Sequence, residues 1–211
     1  MAIIEIFGVP QSTFVRVVRM VCEEKGVPYN LLPVRPHTPE IDALHPLGRI
    51  PAMRHGDVEL CESKAIATYI DRSFPGPKVV PDEPIAAAQV EQWISLVNTA
   101  IDPVMVRGYL LSYFFPGTPD GSPNREAIDK ALPEMRKQAA MLERAVAKTG
   151  FLAGGAFSLA DMYLLPILDY VRGLPEGAEM MDAHAQLAAY FARHSERPCV
   201  KATVPPPRPP R

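Results

Sequence analysis

The chain lacks the marks of several large functional classes. It has only three cysteines, Cys22, Cys61 and Cys199, and their scatter gives no metal-ligand or redox spacing. An odd, dispersed set of thiols suits a reducing compartment, so a cytoplasmic location is expected. No run approaches the ~20 apolar residues of a membrane span, and residues 1–8 are too short for a secretory signal. The 22 Lys+Arg and 24 Asp+Glu residues almost cancel, and no basic stripe marks a nucleic-acid footprint. The five histidines, at 37, 45, 55, 184 and 194, fall at no metal-ligand interval. There is no G-x-S-x-G elbow, no P-loop and no G-x-G-x-x-G turn. Metal, membrane and nucleic-acid functions drop out, and with them most common hydrolases and nucleotide-binding enzymes. Internal repeats are also missing.

What is present is a chain of 211 residues, long enough for one large domain or two small ones. Its 24 prolines gather at junctions and in the tail. Residues 3–7 read as a strand that ends in the turn Gly8-Val9-Pro10-Gln11. From Ser12 a helical pattern runs to Lys25-Gly26, with glycine just past its end. Residues 29–34 read as a second strand, so the first unit is strand, helix, strand with a parallel crossover. A polar, proline-broken connection follows, and residues 41–44 read as a helical turn. Residues 74–77 close the first half, and residues 80–84 read as a linker. Beyond it the strand signal vanishes. Residues 84–113 form a long helical pattern with a break or bend expected near Pro103. A helix capped by Asn124 is expected to break or kink at Pro133. Ser158-Leu159-Ala160-Asp161 is a capping-box variant that opens an apolar helix, bent at Pro166. Residues 183–194 read as a further amphipathic helix. Residues 205–211 are Pro/Arg-rich and read as disordered, or as a ligand for a proline-binding domain.

The stretch with most chemical content is residues 47–66. Ile50-Pro51 leads into the apolar pair Ala52-Met53. Arg54-His55-Gly56-Asp57 reads as turn chemistry, and residues 58–60 as the second arm of a hairpin. Proline donates no backbone N–H, so it belongs at the start of a strand. There it can be cis, which leaves the preceding backbone open to an outside partner. Glu62 and Ser63 sit at the start of the next helix, where orphan N–H groups and the dipole favour an anion. Open backbone at one end and a carboxylate site at the other suit a short peptide ligand. A turn proline and an ordinary helix cap account for the same residues.

Ser12 presents a similar pair of readings. It follows a strand, sits in a proline turn and begins a helix, which is where a capping serine belongs. The same hydroxyl, with the N–H groups around it, can hold a thiolate and lower its pKa from about 8.5. A drop of ~2 units corresponds to ~2.7 kcal/mol, and at pH 7 it takes the thiolate from a few per cent to roughly three quarters. The thiolate is the nucleophile, so this alone can make a catalyst.

Taken together these residues resemble a cytosolic glutathione transferase of the serine type, phi-like. Ile6-Phe7-Gly8-Val9-Pro10-Gln11-Ser12-Thr13, Val15-Arg16-Val17 and Glu23-Glu24-Lys25-Gly26-Val27-Pro28-Tyr29 resemble that family's first unit. Thr38-Pro39-Glu40 and Leu44-His45-Pro46-Leu47-Gly48-Arg49-Ile50-Pro51-Ala52-Met53 resemble its second block, and Glu62-Ser63-Lys64-Ala65-Ile66 its third. Asp102-Pro103-Val104, Ser158-Leu159-Ala160-Asp161 and Arg197-Pro198 resemble signatures of its helical half. The resemblance covers nearly the whole chain. It implies an α/β plus all-α fold: a thioredoxin-like βαβ-ββα domain over residues 1–80, a linker at 81–86, an all-helical domain at 87–204, and a tail at 205–211.

The resemblance also implies roles. Ser12 matches the serine that hydrogen-bonds the glutathione thiolate. Ile50, before cis-Pro51, matches the residue whose backbone pairs with the cysteinyl moiety. Glu62 and Ser63 match the pair that binds the γ-glutamyl end, with Glu62 taking the amine. Arg49 stands where a Gln or Lys often helps hold glutathione. The phi class usually carries His-Lys near the glycyl carboxylate, and here those places read Pro36-His37. His37 is a weaker, pH-dependent cation there, or a solvated loop histidine. The second substrate, an apolar electrophile, would sit between the domains, with Phe14, Met105, Tyr109 and Tyr113 as candidates. Helical spacing puts the last three on one face, which is also what a core stripe looks like. Glutathione is then a co-substrate, no metal is needed, and a homodimer is implied. The expected activity is glutathione-dependent transfer of alkyl or aryl groups. A peroxidase or isomerase side activity is compatible, and a non-catalytic carrier of apolar ligands or an interaction module with the same fold is the contrasting class.

Overall fold

The structure, a computed structural model, describes residues 2–206, and residues 207–211 of the Pro/Arg-rich tail lie outside it. Two contact units emerge. One comprises the residues up to Val80 together with those from Ser195 onward, and the other spans Pro81–His194. The segment from Ser195, read in the sequence as the end of the helical half, therefore groups with the first unit.

In the first unit, strand β1 (Ile4–Phe7) is followed by helix α1 (Thr13–Lys25) and strand β2 (Tyr29–Leu32). Helix α2 (Pro39–Leu44), strands β3 (Ala52–His55) and β4 (Val58–Cys61) and helix α3 (Ser63–Ser73) complete it. The sheet order is β2-β1-β3-β4, with β1 parallel to β2 and antiparallel to β3. This is the expected thioredoxin-like arrangement. The hairpin turn is tighter than the sequence indicated. Arg54 and His55 are paired strand residues, opposite Glu59 and Val58, so only Gly56 and Asp57 make the turn, Gly56 at φ 60°. A two-residue loop needs positive φ, which glycine adopts without a Cβ clash. Ile4, Ile6, Val15, Val18, Met53, Ile66 and Ile70 form the buried interior of this unit. The short helix α10 (Pro198–Lys201) packs back on α1, and the Arg19 guanidinium donates to the Ala202 and Thr203 carbonyls just beyond its end.

The second unit is helical. Helix α4 (Pro84–Leu96) starts from Glu83, whose carboxylate accepts the Ile85 and Ala86 N–H groups. It runs on without a break through a π-helical stretch, Val97–Leu110, into α5 (Leu111–Phe114). Pro103 lies inside the stretch. Its ring would collide with the preceding turn of an α-helix, and the wider i→i+5 turn absorbs it. Helix α6 (Arg125–Thr149) is likewise continuous through Pro133, which is exposed beside the exposed Asp129. The carbonyl that loses its donor faces water, so the helix survives. Helix α7 (Leu159–Val171) continues through Pro166. Helices α8 (Pro175–Asp182) and α9 (Ala185–Ser195) close the unit. Among the described residues, no helix is long and apolar enough to cross a membrane.

The capping box at Ser158 is also the centre of this unit. Asp161 is fully buried. Its Oδ2 accepts the Ser158 N–H at 2.8 Å and the Ser158 hydroxyl at 3.2 Å. Its Oδ1 accepts the Leu152 N–H at 2.8 Å and the Tyr190 hydroxyl at 2.9 Å. One carboxylate thus ties α7 to the preceding loop and to α9. Asp161→Ala strands all these donors in a dry site and is expected to lower the unfolding free energy by at least about 3 kcal/mol. Urea titration of the full chain measures it, and a loss below about 1 kcal/mol would overturn the central role of this carboxylate.

Candidate active site

The turn between β1 and α1 carries Ser12. Its φ and ψ of −70° and 128° are extended, and its Oγ accepts the Val15 N–H at 3.4 Å, so it is the N-cap of α1. Its N–H donates to the Val9 carbonyl at 3.1 Å, which closes the turn. Ser12 is half-buried. Capping uses the hydroxyl as an acceptor only. The O–H proton can still be donated outward, next to a helix terminus that favours a negative charge. Phe14, half-buried, lies on the same first turn.

The proline-led loop comes to the same place. Ile50–Pro51 is cis, and the sheet register starts at Ala52 opposite Phe7, which leaves Ile50 outside the ladder. Gly8 makes the approach possible: a Cβ there would lie 2.5 Å from Val15 Cγ2 and 3.3 Å from Ile50 Cβ. A second glycine organises the outer part of the loop. Gly48 has φ 61°, and a Cβ on it would fall 2.4 Å from His37 Nδ1 and 2.6 Å from Asp42 Oδ1. The His37 N–H donates to the Gly48 carbonyl at 2.9 Å, and the Gly48 N–H to the His45 carbonyl at 2.8 Å. His37, on the β2–α2 connection, and Arg49, on this loop, are both exposed.

Helix α3 supplies the third side. Glu62 is its N-cap, with φ 68° and ψ 118°, a conformation that non-glycine residues avoid. Such a conformation costs on the order of 1–3 kcal/mol and concentrates at sites with a function. The Glu62 carboxylate is largely exposed, and its Oε1 lies 3.4 Å from Nε2 of the buried His45. Ser63, the first helical residue, is buried. The fold therefore packs Ile50 and Val15 against Gly8, at the start of the turn that carries Ser12, and links His37 through Gly48, and Glu62 through His45, to the 45–50 loop that carries Arg49. Sequence reasoning quoted His45 only as part of a motif, and its link to Glu62 became visible only in the fold. Cys61 is a free thiol, half-buried on β4.

The remaining candidates lie in the helical unit. Met105 and Tyr109 are fully buried, while Tyr113 is half-buried. The two tyrosine rings meet edge to face, 5.5 Å apart. Both hydroxyls donate to Glu176 Oε2, at 3.0 Å from Tyr109 and 2.6 Å from Tyr113, while Arg125 holds Oε1 at 2.5 Å. Tyr109 also accepts the Gly177 N–H at 3.0 Å. The stripe thus presents no free face at Met105 or Tyr109. Glu176 escaped the sequence reading because α8 is short, although proline at its first helical position, Pro175, is a start signal. Among the described residues, no group of three or more His, Cys, Asp or Glu side chains could hold a metal ion.

Comparison with known proteins bears on this geometry. Residues 6–78 match the family model "Glutathione S-transferase, N-terminal domain", and residues 103–198 match "Glutathione S-transferase, C-terminal domain". Glutathione S-transferase F9 of Arabidopsis thaliana is 32% identical over 191 residues, covering 86% of this chain and 87% of its own. The crystal structure of glutathione transferase F7 from Populus trichocarpa superposes with a TM-score of 0.87 at 27% identity, over 95% of this chain and 97% of that one. Glutathione S-transferase I from maize, solved in complex with an atrazine glutathione conjugate, superposes with a TM-score of 0.85 at 25% identity, over 96% of each chain.

The Glu176 cluster sets a pH dependence. Burial pushes the carboxyl pKa up, but donors from Tyr113, Arg125, its own backbone and Tyr109 outweigh it and hold the pKa at about 2. The unfolded value is about 4.3, so the folded state binds this proton less tightly. The stability this group contributes is complete above about pH 4.5 and is lost as pH falls towards 2. Glu176→Gln is expected to lower the unfolding midpoint at pH 7 and to flatten its decline through that acid window. Parallel pH profiles for the two proteins would overturn the assignment.

Proposed function

This chain belongs to the glutathione S-transferase family, and on that premise we propose that it joins the sulfur of glutathione to apolar electrophiles, with Ser12 stabilising the thiolate. The observation that carries the reading is the state of the Ser12 hydroxyl. Its oxygen caps α1 by accepting the Val15 N–H, and its proton remains to donate. A thiol placed there loses its proton to solvent more readily, because the anion gains the O–H donor and the helix terminus. The sulfur lone pair then forms a bond to an electrophilic carbon, and the leaving group departs with its electron pair. No further base is needed in this scheme.

The peptide moiety is held by the surrounding loops. The Ile50 backbone beside cis-Pro51 pairs with the cysteinyl unit. Ser63 and the start of α3 take the γ-glutamyl carboxylate, and Glu62 takes the amine. Arg49 and His37 face the glycyl carboxylate from the exposed connections on either side of α2. Phe14, half-buried on the first turn of α1, is an aromatic group offered to the electrophile. Two such chains form the working homodimer.

Ser12→Ala is expected to raise the pKa of bound glutathione and cut turnover by one to three orders of magnitude, about 1.4–4 kcal/mol of transition-state stabilisation. The thiolate band in the ultraviolet measures the first effect. The lost cap lowers stability by only about 1 kcal/mol, so folded protein remains for both assays. An unchanged thiolate band in the variant would overturn the role of Ser12.

A further inference from the structure

We propose that His45 is a positioning residue for glutathione: the Nε2 edge of its buried ring lies against the Glu62 carboxylate and fixes where that carboxylate stands as the amino end of the tripeptide arrives. The proposal rests on the reading above that Glu62 takes that amine. His45 is 3% exposed. Its Nδ1 lies 3.1 Å from the Leu47 backbone nitrogen, which donates to it. A ring nitrogen that accepts an N–H carries no proton, so the ring's one proton sits on Nε2. That nitrogen is the one 3.4 Å from Glu62 Oε1.

Three features make this contact consequential. Glu62 is held at φ 68°, where a side-chain direction depends on contacts beyond the local backbone. Its carboxylate is 65% exposed, so His45 steadies it from the buried side and leaves the outer side to the ligand. A neutral imidazole also orients the carboxylate without cancelling its charge, whereas a lysine or arginine would compete with the incoming ammonium. The carbonyl of His45 accepts the Gly48 N–H, and the Gly48 carbonyl accepts the His37 N–H. One buried side chain thus sets Glu62 relative to the loop that bears Arg49 and Ile50.

The two nitrogens can be tested separately in the full-length chain. H45N keeps an oxygen near the Nδ1 position for the Leu47 N–H but does not reach Glu62. H45Q extends an amide to the Nε2 position. With glutathione varied and chlorodinitrobenzene as the electrophile, H45N is expected to raise the KM for glutathione about three- to tenfold, with kcat within about twofold. H45Q is expected to restore the wild-type KM. E62Q raises KM as well, and adding H45N to it produces no further rise, because the two act as one unit. A wild-type KM in H45N with a raised KM in E62Q overturns the His45 proposal alone. A wild-type KM in E62Q removes the Glu62 reading and the proposal with it. A raised KM in H45N that H45Q does not restore assigns His45 to loop structure and also overturns the proposal. Should H45N fail to fold, H45F, which keeps the ring and drops both nitrogens, is read against E62Q in the same way.

Discussion

The first unit depends on one close approach. Gly8 ends β1, and the space a side chain would fill there is taken by Val15 of α1 and Ile50 of the proline-led loop. Phe7, next to it in sequence, packs with Ile41 and Ala52, and Leu32, Val34, Leu44 and Ile50 close around them. The turn that presents Ser12 and the loop that presents Ile50 are therefore fixed by the same apolar cluster. Neither can shift without opening a cavity against the other, and a core methyl group left without neighbours costs roughly 1 kcal/mol. Rigid packing just beneath the site is what lets two irregular loops hold a geometry at the surface.

Local chemistry made much of this legible in the sequence. Ser12 and Gly26 mark the two ends of α1, and Pro51 marks the entrance to the hairpin, because each residue type satisfies a backbone requirement at its own position. The same logic found Asn124 and the Ser158 box. It anticipated a second helical piece after Pro133, but Pro133, like Pro103 and Pro166, lies inside a continuous helical segment. A proline removes one hydrogen bond and adds one clash, and the packing of a long helix outweighs both when a wider turn or solvent takes up the difference. Helices α8 and α10 were missed for the opposite reason. They are short, they begin with proline, and their place is set by contacts rather than by their own periodicity.

The site was legible in part, and the division follows sequence distance. Ser12, Ile50, Glu62 and Ser63 stand at element boundaries, where residue type alone hints at an anion or an open backbone. The contacts that complete them are tertiary. His45 reaches Glu62 across β3 and β4, and Tyr113 reaches Glu176 over 63 positions. No periodicity encodes such pairs. Met105 and Tyr109 show the converse. Their spacing was right, but spacing cannot tell a lining stripe from a packed one, and burial decides it.

Helix capping and catalysis are often treated as rival explanations of a serine at a helix start. In the proposed mechanism they draw on different atoms of the one Ser12 hydroxyl. The cap needs the oxygen lone pair that faces Val15, and the thiolate needs the proton on the other side. The long 3.4 Å cap contact leaves the hydroxyl weakly committed, so rotating its proton towards a sulfur anion breaks nothing in the helix. Threonine or aspartate would also cap well, but a carboxylate has no proton to give and would repel the thiolate. Alanine gives neither service. Among the short capping side chains, a hydroxyl is the group that meets the backbone's need for an acceptor and the ligand's need for a donor at the same point.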